Sequence, residues 1–393
     1  MKKVLCVILI FCIVFSVGTC VCASATDKDE GGIHQVNEFA PQYDCTSFLL
    51  MEAETGTVLS SSNENAALPL ASVTKIMTLL LAVEALEAGA FSLDDKVSIS
   101  SYAASMGGSQ VFLEEGELIS VEDLLKCAII ASANDAAVAL AELVSGSESA
   151  FVRKMNARAM ELQMSSTNFE NVTGLDDTTV NHVSSAKDIA IMSRALISHD
   201  IITKYSSIWQ DTIRNGEFTL TNTNRLVRFY NGCNGLKTGS TDKAGFCISA
   251  TAKRDGMQLI AVVMGAPKRD TRNEIARQLL DYGFSSYSLF TKCEESLGQL
   301  KVLRGREASF EIFSSGISVV VPKTELNSIE ALTTLPQAIK APLSAGDSVG
   351  KIEYLLNGQV IATSDIFVKK EIESVSFTDT LIGILNSIFL CKS

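Results

Sequence analysis

Histidine is scarce in this chain: only His34, His182 and His199 occur. His34 sits in a polar N-terminal stretch, so a Ser-His-Asp triad would need His182 or His199. Neither has a nucleophile elbow to serve, because no GxSxG occurs. No HExxH or comparable cluster suggests metal hydrolysis, and neither metal nor cofactor is expected. A hydrolytic base here must be another residue type. Lysine is available, in Ser72-Val73-Thr74-Lys75, an SxxK sequence. Residues three apart share a helix face, so Lys75 Nζ can reach Ser72 Oγ. A serine at a helix N-terminus also gains from the positive end of the dipole. To act as a base the lysine must be neutral, which burial and a second nearby cation favour.

On its own, SxxK reads better as a capping serine beside a surface lysine, since chance matches are common in a chain this long. Two further motifs follow in order. Ser132-Ala133-Asn134 supplies a hydroxyl to shuttle a proton and an amide to hold a substrate carbonyl. Lys237-Thr238-Gly239 reads as an edge strand. Its lysine is the second cation, its threonine offers a hydroxyl to an anionic substrate end, and Gly239 leaves room for a neighbouring backbone.

These segments must be positioned by two folded units, the prior for 393 residues. A composition 47% hydrophobic and 20% charged fits a globular chain. The formal net charge of -12 argues against nucleic acid as a partner, since phosphate needs a basic footprint. It also disfavours anionic lipid unless apolar contacts anchor the chain. Residues 1–25 read as a signal peptide: Lys2 and Lys3, an apolar run from Val4 to Val17, then Ala23-Ser24-Ala25. The alternative is a retained membrane helix. Residues 26–36 read as a flexible leader. Four of the ten cysteines lie in the signal, and the scattered remainder reads as buried free thiols.

From 37 to 290 strand and helix patterns alternate. Strands are expected at Ser47–Glu52, Thr57–Ser60, Phe246–Thr251 and Met257–Met264, with Asp255-Gly256 as a hairpin turn. Helices are expected at Ser72–Ala88, at Val121–Val144 with a break around Ser132–Asn134, at Phe151–Leu162, Ser185–Ile197 and Thr271–Tyr282. The pattern is α+β, an antiparallel sheet packed with helices. Residues 294–370 contain short strand patterns separated by turn residues, a small all-β module. Thr378–Leu390 carries one apolar helical face of Leu381, Ile382, Leu385, Ile388 and Phe389. It is too short to span a bilayer and is expected to lie on the membrane surface.

With these motifs in view, the chain resembles the low-molecular-weight penicillin-binding D-alanyl-D-alanine carboxypeptidases, relatives of the SxxK β-lactamases. The resemblance runs through PLASVTKIMT, GGSQVFLEEGE, SANDAAVALAE, NVTGLDD, NTNRLVRFYNGCNGLKTGSTDKAGFC and LIAVVMGAPKRDTR. It covers roughly Asn37 to Leu289, and the β module and apolar tail fit the same plan. The NTNRLVRFY stretch is similar to a branch found in Gram-positive, often spore-forming, bacteria. The resemblance implies a β-lactamase/transpeptidase-like catalytic domain that removes the terminal D-Ala from peptidoglycan stem peptides through an acyl-enzyme. It implies covalent inhibition by β-lactams and export to the outer face of the cytoplasmic membrane and the wall. Ser72 would be acylated, Lys75 its base and Ser132 a proton relay, with Asn134, Lys237 and Thr238 holding substrate. Backbone N–H groups of Ser72 and Ser240 would form the oxyanion hole. Arg272 would meet the substrate carboxylate, unless it is an exposed helix-start arginine. One departure is Thr173-Gly174-Leu175-Asp176, where the family often has His-Gly-Leu-Asp.

Two rivals stand beside this reading. A class A-like β-lactamase would carry ExxLN between the second and third motifs. Glu170 is present here, but Leu and Asn do not follow at that spacing. A non-catalytic wall-peptide-binding module would have less reason to keep nucleophile and base together. Carboxypeptidase and endopeptidase action share the same acyl chemistry and stay open.

Overall fold

The computed structural model describes residues 41–177 and 179–390, without the side chains of 383 and 386–390. The expected signal peptide and leader, His34 and Cys391 lie outside the described residues. The N-terminal part is built on β1 (Ser47–Glu52), β2 (Val58–Ser62), α1 (Lys75–Glu87), α2 (Asn134–Ser145), β3 (Cys233–Thr241), β4 (Gly245–Arg254), β5 (Met257–Ala266) and α3 (Arg269–Ser286). The strands form one antiparallel sheet in the order β2-β1-β5-β4-β3, which leaves β3 at an edge. Asp255 and Gly256 both take positive φ, as the two-residue turn joining β4 to β5 requires.

The central strands read as unbroken apolar runs because both faces are covered. Along β1, Leu49 and Met51 enter the main core with Ile76 and Leu80 of α1. Leu50 faces the other way, against Gly283 of α3. Alternation at period two divides one strand between the two layers. The SxN segment lies in the helical layer on the core side. The stretch from Val121 is α-helical to Lys126, widens into a π-turn over Cys127–Ala131, and restarts as α2 at Asn134. The expected break is therefore present.

Beyond α3 the chain is almost all β. Strand β6 (Tyr287–Lys292) spans the expected boundary at 290. The strands that follow are β7 (Glu295–Leu303), β8 (Ser309–Ser314), β9 (Ile317–Pro322), β10 (Glu330–Thr334), β11 (Ala338–Lys340), β12 (Ser348–Leu356) and β13 (Gln359–Val368). β6 pairs with β9, and the other six form a sheet in the order β10-β12-β13-β8-β7-β11. Leu300, Val302, Phe310, Ile312, Ile352 and Ile366 build its core. β10 was not expected from the sequence: all five of its residues are exposed, and it joins the sheet at its edge by pairing with β12. The chain ends in α4 (Phe377–Leu390), where Ser376 and Asp379 cap each other's backbone N–H. The five described cysteines are free, but Cys293 is exposed and Cys45 and Cys233 are half-buried, so the expectation of buried thiols holds only for Cys127 and Cys247.

Candidate active site

Ser72 is the only residue between Leu70 and Leu80 that is not buried. The expected α-helix from Ser72 is corrected here. Ala71–Thr74 forms a 3₁₀ turn, and α1 proper begins at Lys75. The tighter turn eclipses positions i and i+3, which sets Lys75 Nζ 3.0 Å from Ser72 Oγ. Two glycines let other segments close on this turn. A Cβ on Gly239 would lie 2.8 Å from the Ser72 nitrogen. A Cβ on Gly174, whose φ is +83, would lie 1.8 Å from the Ala71 oxygen.

Lys75 is fully buried. Its Nζ donates to Asn134 Oδ1 at 2.6 Å and to the Thr173 carbonyl at 2.9 Å. Both partners are pure acceptors. A neutral amine has two N–H groups, which these acceptors use, and its lone pair is left facing Ser72 Oγ. Desolvation, reinforced by the charge of Lys237, pushes the Lys75 pKa well below the ordinary lysine range, against a weaker pull from Asp135.

Ser132 ends the π-turn with a φ of 62, unusual for a residue with a Cβ. That conformation brings its Oγ within 2.7 Å of Lys237 Nζ, which also donates to the Thr238 carbonyl at 3.0 Å. Lys237 is buried, and burial together with Arg272 brings its pKa down to about 7. Asn134 is held in place by Nδ2 donating to the Gly107 carbonyl at 2.6 Å. Its backbone N–H donates to the Ser109 carbonyl at 2.7 Å. The SxxK, SxN and KTG residues thus meet at one place.

On β3, the Thr238 carbonyl turns to Lys237 Nζ and so points away from β4. Ser240 has the same parity with no register shift between them, so its N–H also faces the open edge. Ser240 is exposed, and Gly239 beside it presses on the Ser72 turn. The Thr238 hydroxyl meets Thr223 Oγ1 at 2.9 Å. Arg272 is 3% exposed, which corrects the alternative of an exposed helix-start arginine. Its guanidinium donates to Asn273 Oδ1 at 3.1 and 2.9 Å and to the Cys247 carbonyl at 3.3 Å. Burial beside these neutral acceptors lowers its pKa to about 10. Such a cation favours an incoming anion.

Sequence reasoning missed three participants. The Thr173 carbonyl holds Lys75, so the departure at Thr173 leaves that contact to the main chain. Thr223 braces Thr238. His182 is buried with Nε2 2.7 Å from Thr74 Oγ1. Glu170, the residue a β-lactamase reading would need, spends its carboxylate on the backbone N–H groups of Val180 and Asn181 at 2.8 and 3.0 Å. Among the described residues no cluster of three or more His, Cys, Asp or Glu is placed to hold a metal ion.

Comparison with known proteins gives a consistent result. Residues 34–268 match the family model described as D-alanyl-D-alanine carboxypeptidase, peptidase S11, and residues 284–374 match the C-terminal domain of penicillin-binding protein 5. The chain is 41% identical over 361 residues to the D-alanyl-D-alanine carboxypeptidase DacF of Bacillus subtilis, covering 90% of this chain and 91% of that one. Its structure is similar to that of penicillin-binding protein 5 from Haemophilus influenzae, with a TM-score of 0.74 at 31% identity over 85% of this chain and 99% of that one. It is also similar to ampicillin-bound penicillin-binding protein D2 from Listeria monocytogenes, with a TM-score of 0.57 at 32% identity over 62% of this chain and 98% of that one.

Proposed function

The chain belongs to the D-alanyl-D-alanine carboxypeptidase family, peptidase S11, and from that premise we propose that Ser72 is its acylated nucleophile and Lys75 the general base. The enzyme is a serine-type D-Ala-D-Ala carboxypeptidase of the penicillin-binding kind, acting on peptidoglycan stem peptides and inhibited by β-lactams. The observation that carries the residue assignment is the arrangement at Lys75 Nζ, with two acceptors occupied and the third direction on Ser72 Oγ.

Ser72 Oγ attacks the carbonyl between the two D-Ala residues while its proton passes to Lys75. The N–H groups of Ser72 and Ser240 take the developing oxyanion. The proton taken by Lys75 is relayed through Ser132, which is bonded to Lys237, to the leaving amine, so D-Ala departs and Lys75 is neutral again. Water then releases the shortened peptide by the reverse sequence. Asn134 and Thr238 line the cleft beside the scissile bond, and Gly239 keeps β3 close to the nucleophile. In a β-lactam the cleaved amide nitrogen stays tethered to the acyl group and keeps water out, so the acyl-enzyme persists.

Arg272, with Thr238, attracts the carboxylate of the terminal D-Ala. Mass analysis of products from a wall pentapeptide should show loss of a single D-Ala. Arg272→Ala should lower kcat/KM for that peptide by roughly 10- to 100-fold, as for loss of a charge-assisted contact, with a much smaller loss on a C-terminally amidated analogue. Equal losses would make the arginine merely structural, and release of a dipeptide would point to endopeptidase action.

The enzyme acts on the cell wall, outside the cytoplasm. We assign residues 1–25 to export, residues 37–290 to the catalytic unit and 294–370 to the β module. The tail α4 rests on the outer face of the membrane. Leu381, Ile382 and Leu385 are 45%, 56% and 44% exposed, so these described side chains are not packed on the β module. At ~1.5 Å per residue, the helix is shorter than a ~30 Å hydrocarbon core, and no described helix is long and apolar enough to cross a membrane. At ~1.5–3 kcal/mol per fully buried large side chain, partial burial of this face suffices to hold it. Deleting everything after Glu373 should move active enzyme from the membrane to the soluble fraction. An already soluble full-length protein, or a truncated form still on membranes, refutes the anchor.

A further inference from the structure

Beneath the nucleophile turn lies a buried histidine that the acyl-transfer chemistry does not use. His182 Nδ1 accepts the backbone N–H of Glu170 at 2.9 Å. That bond fixes the tautomer: Nδ1 carries no proton, so the proton is on Nε2. Nε2 therefore donates to Thr74 Oγ1 at 2.7 Å. The Thr74 hydroxyl, with its acceptor side occupied, donates to the Ala71 carbonyl at 2.8 Å. Ala71 takes a φ of 47, a left-handed conformation that a residue with a Cβ adopts only when its surroundings impose it. Ala71 immediately precedes Ser72, so the orientation of its peptide sets that of the serine N–H and Cα.

Other contacts hold the same pair of segments together. Val183, next to His182, pairs with Pro69, and Ser184 pairs with Leu68, just upstream of the turn. Phe169 sets its ring edge-on to the imidazole, with centroids 5.9 Å apart. Gly174 closes on the Ala71 carbonyl from the adjoining loop. The Thr74 hydroxyl and the close approach of Gly174 thus both bear on the Ala71 oxygen.

We propose that His182 is a positioning residue for acylation, holding Ser72 and its N–H in the reactive orientation through the relay His182 Nε2–H to Thr74 Oγ1–H to the Ala71 carbonyl. Burial lowers the His182 pKa to about 4, against the opposing charges of Glu170 and Asp176, so the imidazole stays neutral and the tautomer is kept near neutral pH. The inference rests on Ser72 being the nucleophile.

The test uses the full-length enzyme and measures kcat and KM on a D-Ala-D-Ala peptide, the rate of acylation by a fluorescent penicillin, and the melting temperature. His182→Phe keeps the ring volume and removes the donor. It should lower kcat and the acylation rate roughly 10- to 100-fold, the scale of a small misplacement of reacting atoms, with KM within about twofold. His182→Gln, whose amide can donate to Thr74 and accept from Glu170, should stay within about threefold of wild type on the same scale. Thr74→Val, nearly isosteric, should match His182→Phe, and the double variant should be no worse than either, because all three break one relay. Should His182→Phe not fold, Thr74→Val at an unchanged melting temperature decides alone. Additive losses, a glutamine variant as impaired as the phenylalanine one, or a loss confined to KM overturns the relay. A wild-type enzyme that penicillin does not acylate overturns the assignment of Ser72 instead.

Discussion

Ser72→Ala should abolish covalent labelling by a fluorescent penicillin and lower turnover of a D-Ala-D-Ala peptide by about 10⁶-fold, the loss typical of removing a serine nucleophile whose partners act as a unit. Labelling needs an ester to that one oxygen, and Ser72 is the residue of the turn that reaches the cleft surface. The substitution removes one oxygen from a partly exposed position and leaves Lys75 its bonds to Asn134 and Thr173. The melting temperature should therefore hardly change, and loss of labelling then reports chemistry rather than unfolding. Labelling of the variant at wild-type intensity would place the acyl group elsewhere.

The next largest effect is expected at the base. Lys75→Arg should cost about 10²–10⁴-fold in acylation, the usual contribution of general-base catalysis. Arginine keeps the charge and cannot give up its proton, so it has no lone pair for the Ser72 hydroxyl. As the proposed base, Lys75 acts in its neutral form. The acylation rate should fall as pH drops through the Lys75 pKa, with the limb well below the ordinary lysine range because burial and Lys237 both disfavour the cation. A variant retaining more than about a tenth of the rate would be inconsistent with the ~10²-fold minimum for this role. A wild-type rate flat down to pH 5 would point to a base with a carboxylate-like pKa.

Much of the site was legible before any coordinates. SxxK, SxN and KTG are short motifs whose residue types state their chemistry, and their order along the chain made coincidence untenable. The hairpin at Asp255-Gly256 and the break near Ser132 were legible for local reasons, since positive φ and lost periodicity leave marks in neighbouring residues. Where a signal was weak the reading fell short. The turn at Ala71–Thr74 has helical spacing but 3₁₀ geometry, and Gly174 and Gly239, distant in sequence, close on it. β10 buries neither face and carries a single large apolar residue, Leu332, so periodicity could not find it.

The sequence by itself determined the inventory: a serine, two lysines, a second serine and an asparagine in a fixed order, on a chain of helices and strands followed by a β module. It also determined their local settings, because dipeptide turns, capping and alternation act over a few residues. Only the tertiary structure decided that the Lys75 cation is disfavoured, because that depends on its complete burial and on a charge 162 positions away in sequence, at Lys237. It alone placed the Thr173 carbonyl on Lys75, since every residue has such a carbonyl and none signals its use. It buried Arg272 among neutral acceptors, where the sequence had kept open an exposed helix-start position. It also set His182 beneath Thr74, 108 residues away along the chain, through strand pairing that no local pattern encodes.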